Sequence, residues 1–217
     1  MNSEPESDIK REVAAKAEAR GTRQKIVAAA IHEFAHHGID GARIDRIAKS
    51  AKVNKAMIYY HFDSKDNLYL EVVTSFYKNI RQRAEEIVLP SETLEEALGA
   101  LATLHETMFA SDDYARPIML REMADPRPEV LEAISAVFRS ASIPQKIATL
   151  LGDGMDRGEY RHTDIHQALL AFASMSIYYH MVTPFINRLL GIDDPRQFAA
   201  ERPKVIIDIF LNGLKVR

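Results

Sequence analysis

The 217-residue sequence predicts an all-α protein, with a small helix-turn-helix head on its N-terminal side and a larger helical body behind it. Three observations carry that prediction. Apolar residues recur three and four apart along most of the chain, whereas the strict alternation of a half-buried strand is scarce. Ser, Thr, Asp or Asn precede the periodic runs and Gly or Pro follow them, cutting the chain into about nine short-linked segments. Residues 44–62, IDRIAKSAKVNKAMIYYHF, read as two short helices about a tight turn at Lys52-Val53.

The elements follow in order. Residues 1–20 are polar and read as a mobile arm whose second half extends the first helix. Thr22 stands as the N-cap of a helix to about His37, and Gly38 follows where a helix-ending residue takes positive φ. Short helices are expected over about 44–51 and 55–61, the second capped by Asn54. Ser64 caps a long helix in which Leu68, Val72, Phe76 and Ile80 form one apolar stripe. PSET at 90–93 stops that helix and starts the next, about 92–110. SDDYARP, DPRP and SIP separate helices over about 115–124, 128–141 and 144–157, and GEYR is a turn. Asp164 opens a long helix to about 190, ended by LLGIDDP, and a last helix covers about 203–215.

Composition excludes several classes. The chain has no Cys, hence no disulfide, no thiolate metal site and no thiol nucleophile. MNSEPESDIKRE lacks the apolar core of a secretory signal, and no run approaches the roughly 18 apolar residues of a membrane span. A cytoplasmic protein without membrane contact is expected. Charge is uneven: net −1 over residues 1–20, +3 over 21–66 and −5 over 67–217. A basic segment ahead of an acidic body points to an anionic partner, although scattered surface charge gives the same numbers.

That basic segment is where a nucleic-acid reader would lie. Ile44, Ile47, Ala48 and Val53 form a small apolar joint, with Ile58 beneath the second helix. Asn54, Lys55, Ala56, Met57 and Tyr59 are left near the N-terminal end and exposed face of the recognition helix, the part of this motif that enters the major groove. Tyr60, His61 and Lys65 follow it, within reach of phosphate oxygens. The bland reading of Tyr59-Tyr60-His61-Phe62 is packing, with Phe62 in the core.

Residues 22–70 also resemble the TetR family of one-component transcriptional regulators. The matching residues are Thr22, Ile26, Ala30, Phe34 and Gly38, then Ile47-Ala48 and Ala51-x-Val53, then Ile58-Tyr59-Tyr60-His61-Phe62 with Ser64-Lys65-x-x-Leu68. The resemblance implies a homodimer with a DNA-binding domain over 21–66 and a ligand-binding, dimerising body over 67–217. It also implies no cofactor, a double-stranded operator and a repressor released by a small, largely apolar effector. Two positions depart from the family pattern. Arg43 stands where the family often has Thr, and Lys52 where it usually has a turn Gly. Both are cations that can reach DNA. Lys10, Arg11, Lys16 and Arg20 of the arm carry enough charge to reach a minor groove, diluted by five acidic residues.

A second motif competes for attention. His32-Glu33-Phe34-Ala35-His36 fits H-E-x-x-H, in which two His on a helix bind zinc and the Glu is a general base. Ile26, Ala30 and Phe34 define the core stripe, which places His32, Glu33 and His36 on the outward face. No third ligand follows at the metzincin spacing. A metal-dependent hydrolase is therefore the weaker alternative, no metal is assigned, and a scaffold helix is the expectation. The Gly152-x-Gly154 pair lacks the third glycine and the strand of a dinucleotide site.

In the body, Met108, Met119, Met123, Met155 and Met175 lie near Phe109, Phe138, Phe172 and Tyr179. Such residues line adaptable pockets and also fill ordinary cores. With the family resemblance they become candidate effector contacts, and His105, Arg121 and His180 become candidates to orient a polar ligand group. The last two helices are apolar on more than one side, which requires more than one packing surface. Ile165, Leu169, Phe185, Val205, Ile209 and Phe210 are accordingly expected at a dimer interface.

Overall fold

A computed structural model describes residues 4–111, 114–139 and 142–216, with side chains from Ala19 onward apart from those at 111 and 115. Ten α-helices make up these residues: α1 (Glu4–Gly41), α2 (Ile44–Ala51), α3 (Lys55–Phe62), α4 (Lys65–Val88), α5 (Leu94–Ser111), α6 (Ala115–Ala124), α7 (Pro128–Arg139), α8 (Ile143–Asp156), α9 (Ile165–Leu190) and α10 (Pro195–Leu214). Pairing of β type among them is confined to one isolated bridge, Tyr160–Lys215.

Local chemistry explains the starts. Asn54 accepts from the Ala56 amide at 3.0 Å, Ser64 from Asn67 at 3.0 Å and Asp164 from Gln167 at 2.8 Å. Thr93 and Glu96 form a reciprocal capping box: the Glu96 amide donates to Thr93 Oγ1, and the Glu96 carboxylate accepts from the Glu92 and Thr93 amides.

Three elements depart from expectation. The first helix begins at Glu4, so residues 4–20 are its opening turns and Thr22 is interior. Residues 1–3 lie outside the described set. The tract KREVAAKAEAR is built of strong helix formers, and Gly21 costs only about 1 kcal/mol relative to Ala. The last helix begins at Pro195, not near 203: Asp194 accepts from the Arg196 and Gln197 amides and Pro195 occupies the first turn. Pro203 lies inside that helix. Finally, α9 is long and apolar enough to cross a membrane by length and composition, contrary to the sequence expectation. Its Ala168, Phe172, Ser176, Tyr179, His180 and Met181 are buried in the protein, while most of the helix is not.

Two compact units divide the chain: residues up to 75 with 121–133, and residues 76–120 with 134–217. The division falls inside α4, α6 and α7, whereas the sequence reading placed a single boundary at 66/67. The first unit buries Ile26, Ala30, Phe34, Ile47, Ile58, Phe62, Leu68, Tyr69 and Val72. The second has a core that includes Val88, Leu98, Leu151, Phe172, Ile206 and Leu211, and a smaller cluster of Met108, Met119 and Met181. Gly154 seats the Tyr160 ring, which a side chain at 154 would strike. Gly154 thus has a packing role, whereas a side chain at Gly152 would meet open space.

Candidate nucleic-acid interface and body cavity

The joint of the helix-turn-helix is built as its apolar spacing demands. Ile44, Ile47, Ala48 and Ala51 of α2 and Ile58 and Phe62 of α3 are buried. Between the helices Lys52 adopts the left-handed region, φ 55 and ψ 44, and its amide donates to the Ala48 and Lys49 carbonyls. Arg43 is extended and offers no side-chain cap to α2. Glu33 of α1 supplies an acceptor instead: its Oε1 takes the Arg43 amide at 2.8 Å and Arg46 Nε at 2.7 Å.

The face that remains is α3's. Ala56, Met57, Tyr59 and Tyr60 are exposed, Tyr60 most of all at 77%. Asn54 spends its side-chain oxygen on the cap. Lys55 reaches back to Asp45 of α2 at 2.9 Å, and that hydrogen bond raises its pKa above the usual lysine value. Arg43 and Lys52 are exposed as well. His61 is half-buried beside Tyr60, with Nε2 unpartnered. Lys65 is half-buried and its Nζ lies 3.4 Å from the Ala42 carbonyl, closer to the joint than a free surface cation would be. The side chains of Lys10, Arg11 and Lys16 lie outside the described residues; Arg20 is exposed.

The H-E-x-x-H residues are otherwise engaged. Glu33 is not outward: its side chain is 10% exposed and holds α2. Against the upward push of burial, Arg46 and the Arg43 amide keep its carboxyl below the usual range, the wrong poise for a general base. His32 and His36 stack on each other at 4.7 Å, and His36 Nδ1 donates to the His32 carbonyl at 2.8 Å. Among the described residues no three His, Asp or Glu converge as a metal site.

Residues 121–127 tie into the same unit. Arg121 Nη1 donates to the Phe34 and Ala35 carbonyls at 2.8 and 2.7 Å, near the point where Gly38 (φ 64) breaks α1. This satisfies two of the carbonyls that a helix end leaves without partners. Arg121 is therefore a cap for the first helix and does not line the body cavity. Tyr69 donates to Glu122 at 2.5 Å, Arg127 pairs with the same carboxylate at 3.1 Å, and the Arg127 guanidinium lies over the Tyr69 ring. Burial and the Glu122 carboxylate push the Tyr69 phenol up. Nothing in the spacing of these residues marked them in advance.

The second unit holds a cavity of about 400 Å³. Of the candidate contacts, His105, Met108, Met119, Phe138 and Phe172 line it. Phe109, Tyr179 and His180 line a neighbouring cleft of about 530 Å³, where Phe109 stacks on His180 at 4.7 Å. The rest lie elsewhere. Met123 is 68% exposed, Met155 is buried in the main core, and Met175 packs against that core while its carbonyl accepts from Arg202. His180 Nε2 lies 3.3 Å from Glu106. Burial drives both groups toward their neutral forms, His180 down to about 4 and Glu106 upward. His105 is likewise held at about 4 by burial, and secondarily by His180.

The expected interface residues separate into two sets. Phe185, Val205 and Ile209 are exposed. Leu169 lines the cavity, and Ile165 and Phe210 pack on the main core, Phe210 edge-on to Phe172. Leu170, Tyr178 and Leu189 join Phe185 as exposed apolar residues on α9. At 100° per residue these four fall within about 100° of one another, and Val205 and Ile209 form a second stripe on α10.

Comparison with known proteins agrees with this architecture. Residues 26–72 match the family described as bacterial regulatory proteins, tetR family. The HTH-type transcriptional repressor NicS of Pseudomonas putida is 26% identical over 206 residues, covering 89% of this chain and 92% of that one. The HTH-type transcriptional repressor SCO4008 of Streptomyces coelicolor is 29% identical over 199 residues, covering 86% and 95%. The FadR regulator of Bacillus subtilis, solved with stearoyl-CoA, shares the fold with a TM-score of 0.70 at 18% identity, over 88% of this chain and 98% of that one. Residues 26–72 thus carry the helix-turn-helix of the tetR family, and the chain is similar over most of its length to HTH-type transcriptional repressors.

Proposed function

We propose that the protein is a cytoplasmic, homodimeric repressor that reads a double-stranded operator through α3 and is released when a small, largely apolar molecule fills the body cavity. The observation that carries this reading is the free face of α3: Ala56, Met57, Tyr59 and Tyr60 are exposed on a helix whose opposite side is buried. Two such helices must enter major grooves roughly 34–36 Å apart, so two protomers are needed. The exposed stripes of α9 and α10 supply an apolar surface for that pairing. An effector shifts the dimer between binding and non-binding states only by its differential affinity for them. The cavity's apolar wall is of the same chemical type as the acyl chain in the similar FadR structure.

The test is selection of bound duplexes from a random pool, followed by anisotropy titrations at physiological salt. Tyr60→Phe and Lys65→Ala weaken binding across all sequences, whereas Lys55→Ala also alters sequence preference. Unchanged affinity in all three variants would refute the docking.

A further inference from the structure

An acid stands beside the first residue of the reading helix. Lys55 opens α3, and its Nζ lies 2.9 Å from Oδ1 of Asp45, in the first turn of α2. Both side chains are open to solvent, Asp45 at 73% and Lys55 at 49%. The pair therefore occupies the end of α3 that this motif inserts into the major groove, and whatever Lys55 meets there, Asp45 stands next to. Arg43, Lys49 and Lys52, in or beside α2, are exposed cations. A carboxylate among them opposes a polyanion, because non-specific affinity grows with each phosphate that a cation neutralises. The helix dipole favours an acid in the first turn, which is a structural role for Asp45, but that role needs no partner on α3.

Resting on the reading of α3 as the DNA-reading helix, we propose that Asp45 is a specificity-determining residue that acts through Lys55, holding its ammonium so that the lysine serves base recognition and not general attraction to phosphate. The chemistry follows from the donor count. A lysine ammonium has three N–H donors. Asp45 takes one, which fixes the direction of the side chain and leaves two for a base edge such as guanine O6 and N7. At a site with that base in place, the held lysine makes its bonds without first giving up the carboxylate. At any other sequence the pair is electrically neutral, so Lys55 releases no counterion and adds nothing to the salt-dependent part of binding. An exposed ion pair is weak, so the effect is a tuning of discrimination, not a lock.

The experiment titrates the full-length protein by anisotropy against a duplex selected from a random pool and a scrambled duplex of the same length, over a range of salt. Asp45→Asn should tighten the scrambled duplex about threefold and steepen its log–log salt slope by about 0.9, the signature of one more phosphate contact. The selected duplex should bind no tighter, so the ratio of the two affinities falls about threefold. Asp45→Glu, which keeps the carboxylate, should retain the wild-type ratio. In a Lys55→Ala background Asp45→Asn should leave the ratio where Lys55→Ala alone puts it, since no ammonium remains to be held. A purely structural acid at the helix start would shift the melting temperature and not this ratio. An unchanged ratio in Asp45→Asn would overturn the inference. So would the same fall in the Lys55→Ala background, which would make Asp45 an independent reader, for instance an acceptor from cytosine N4. If wild type enriches no duplex from the pool, the reading of α3 itself fails, and the inference with it.

Discussion

Lys52 sits where the helix-turn-helix turns, in a conformation that a lysine adopts at a cost. With φ 55 and ψ 44 its Cβ crowds the following carbonyl, a penalty of roughly 1–2 kcal/mol for an L-residue. Lys52→Gly removes it. Glycine returns about 0.5–1 kcal/mol through the freedom it adds to the unfolded chain, leaving a net gain of about 0.5–1 kcal/mol. The backbone hydrogen bonds from residue 52 to the Ala48 and Lys49 carbonyls need no side chain and stay. For a chain of this length the gain corresponds to about 1–4 °C in melting temperature. The assay is a thermal melt followed by circular dichroism at fixed protein concentration, since the transition of the proposed dimer moves with concentration. Lys52→Ala is the control: it removes the same cation and keeps the strain, so it melts close to wild type. If Lys52 meets a phosphate, both variants lose DNA affinity and reduce the log–log salt slope by about 0.9. A glycine variant that melts below wild type would refute the strain argument, whatever its DNA affinity.

Other perturbations read different parts of the molecule. Tyr69→Phe deprives the buried Glu122 of a donor and should cost about 1.5–3 kcal/mol in a urea titration; a loss below 0.5 would show that Arg127 alone suffices. Stability should fall as pH drops from about 6.5 toward 4, because His105 and His180 have folded-state values near 4 and unfolded values near 6.5. The neutral forms favour the fold, so their contribution is complete above 6.5 and declines by up to about 1.4 kcal/mol per unit for each His below it. Glu106, raised by burial, offsets part of this loss, while Arg116 and Arg202 reinforce the His180 effect. A flat urea midpoint from pH 7.5 to 4.5 would contradict it. Ile209→Glu places a charge on the exposed α10 stripe and should give a monomer by sedimentation that no longer binds operator; a dimer that still binds would move the interface elsewhere.

Local chemistry made the head legible. Asn54 and Ser64 cap the helices they immediately precede, as Asp164 does in the second unit, and the Ile44-Ile47-Ala48 spacing sets the joint. Such signals span three or four residues, and the structure obeys them. The start of α10 is hidden in the sequence because DDP serves two neighbours: it follows the end of α9 and also caps the next helix. Helical phase alone places Glu33 outward because it cannot see α2, whose Arg46 draws it inward. The bonds from Arg121 to Phe34 and from Tyr69 to Glu122 span more than 50 residues, and no periodicity announces such partners. In the cavity, Met and aromatic content marked the right half of the chain but could not separate Met108 and Met119 from Met155 and Met175, since core and cavity wall use the same side chains.

The grip of residues 121–127 on the head bears on how such proteins can be taken apart and recombined. A fragment cut after α4 would leave the Phe34 and Ala35 carbonyls uncapped and the Tyr69 hydroxyl without its acceptor. The smallest piece that keeps those bonds is discontinuous along the chain, and grafting this head onto a foreign body transfers an intact module only if the graft carries a matching arginine and glutamate with it.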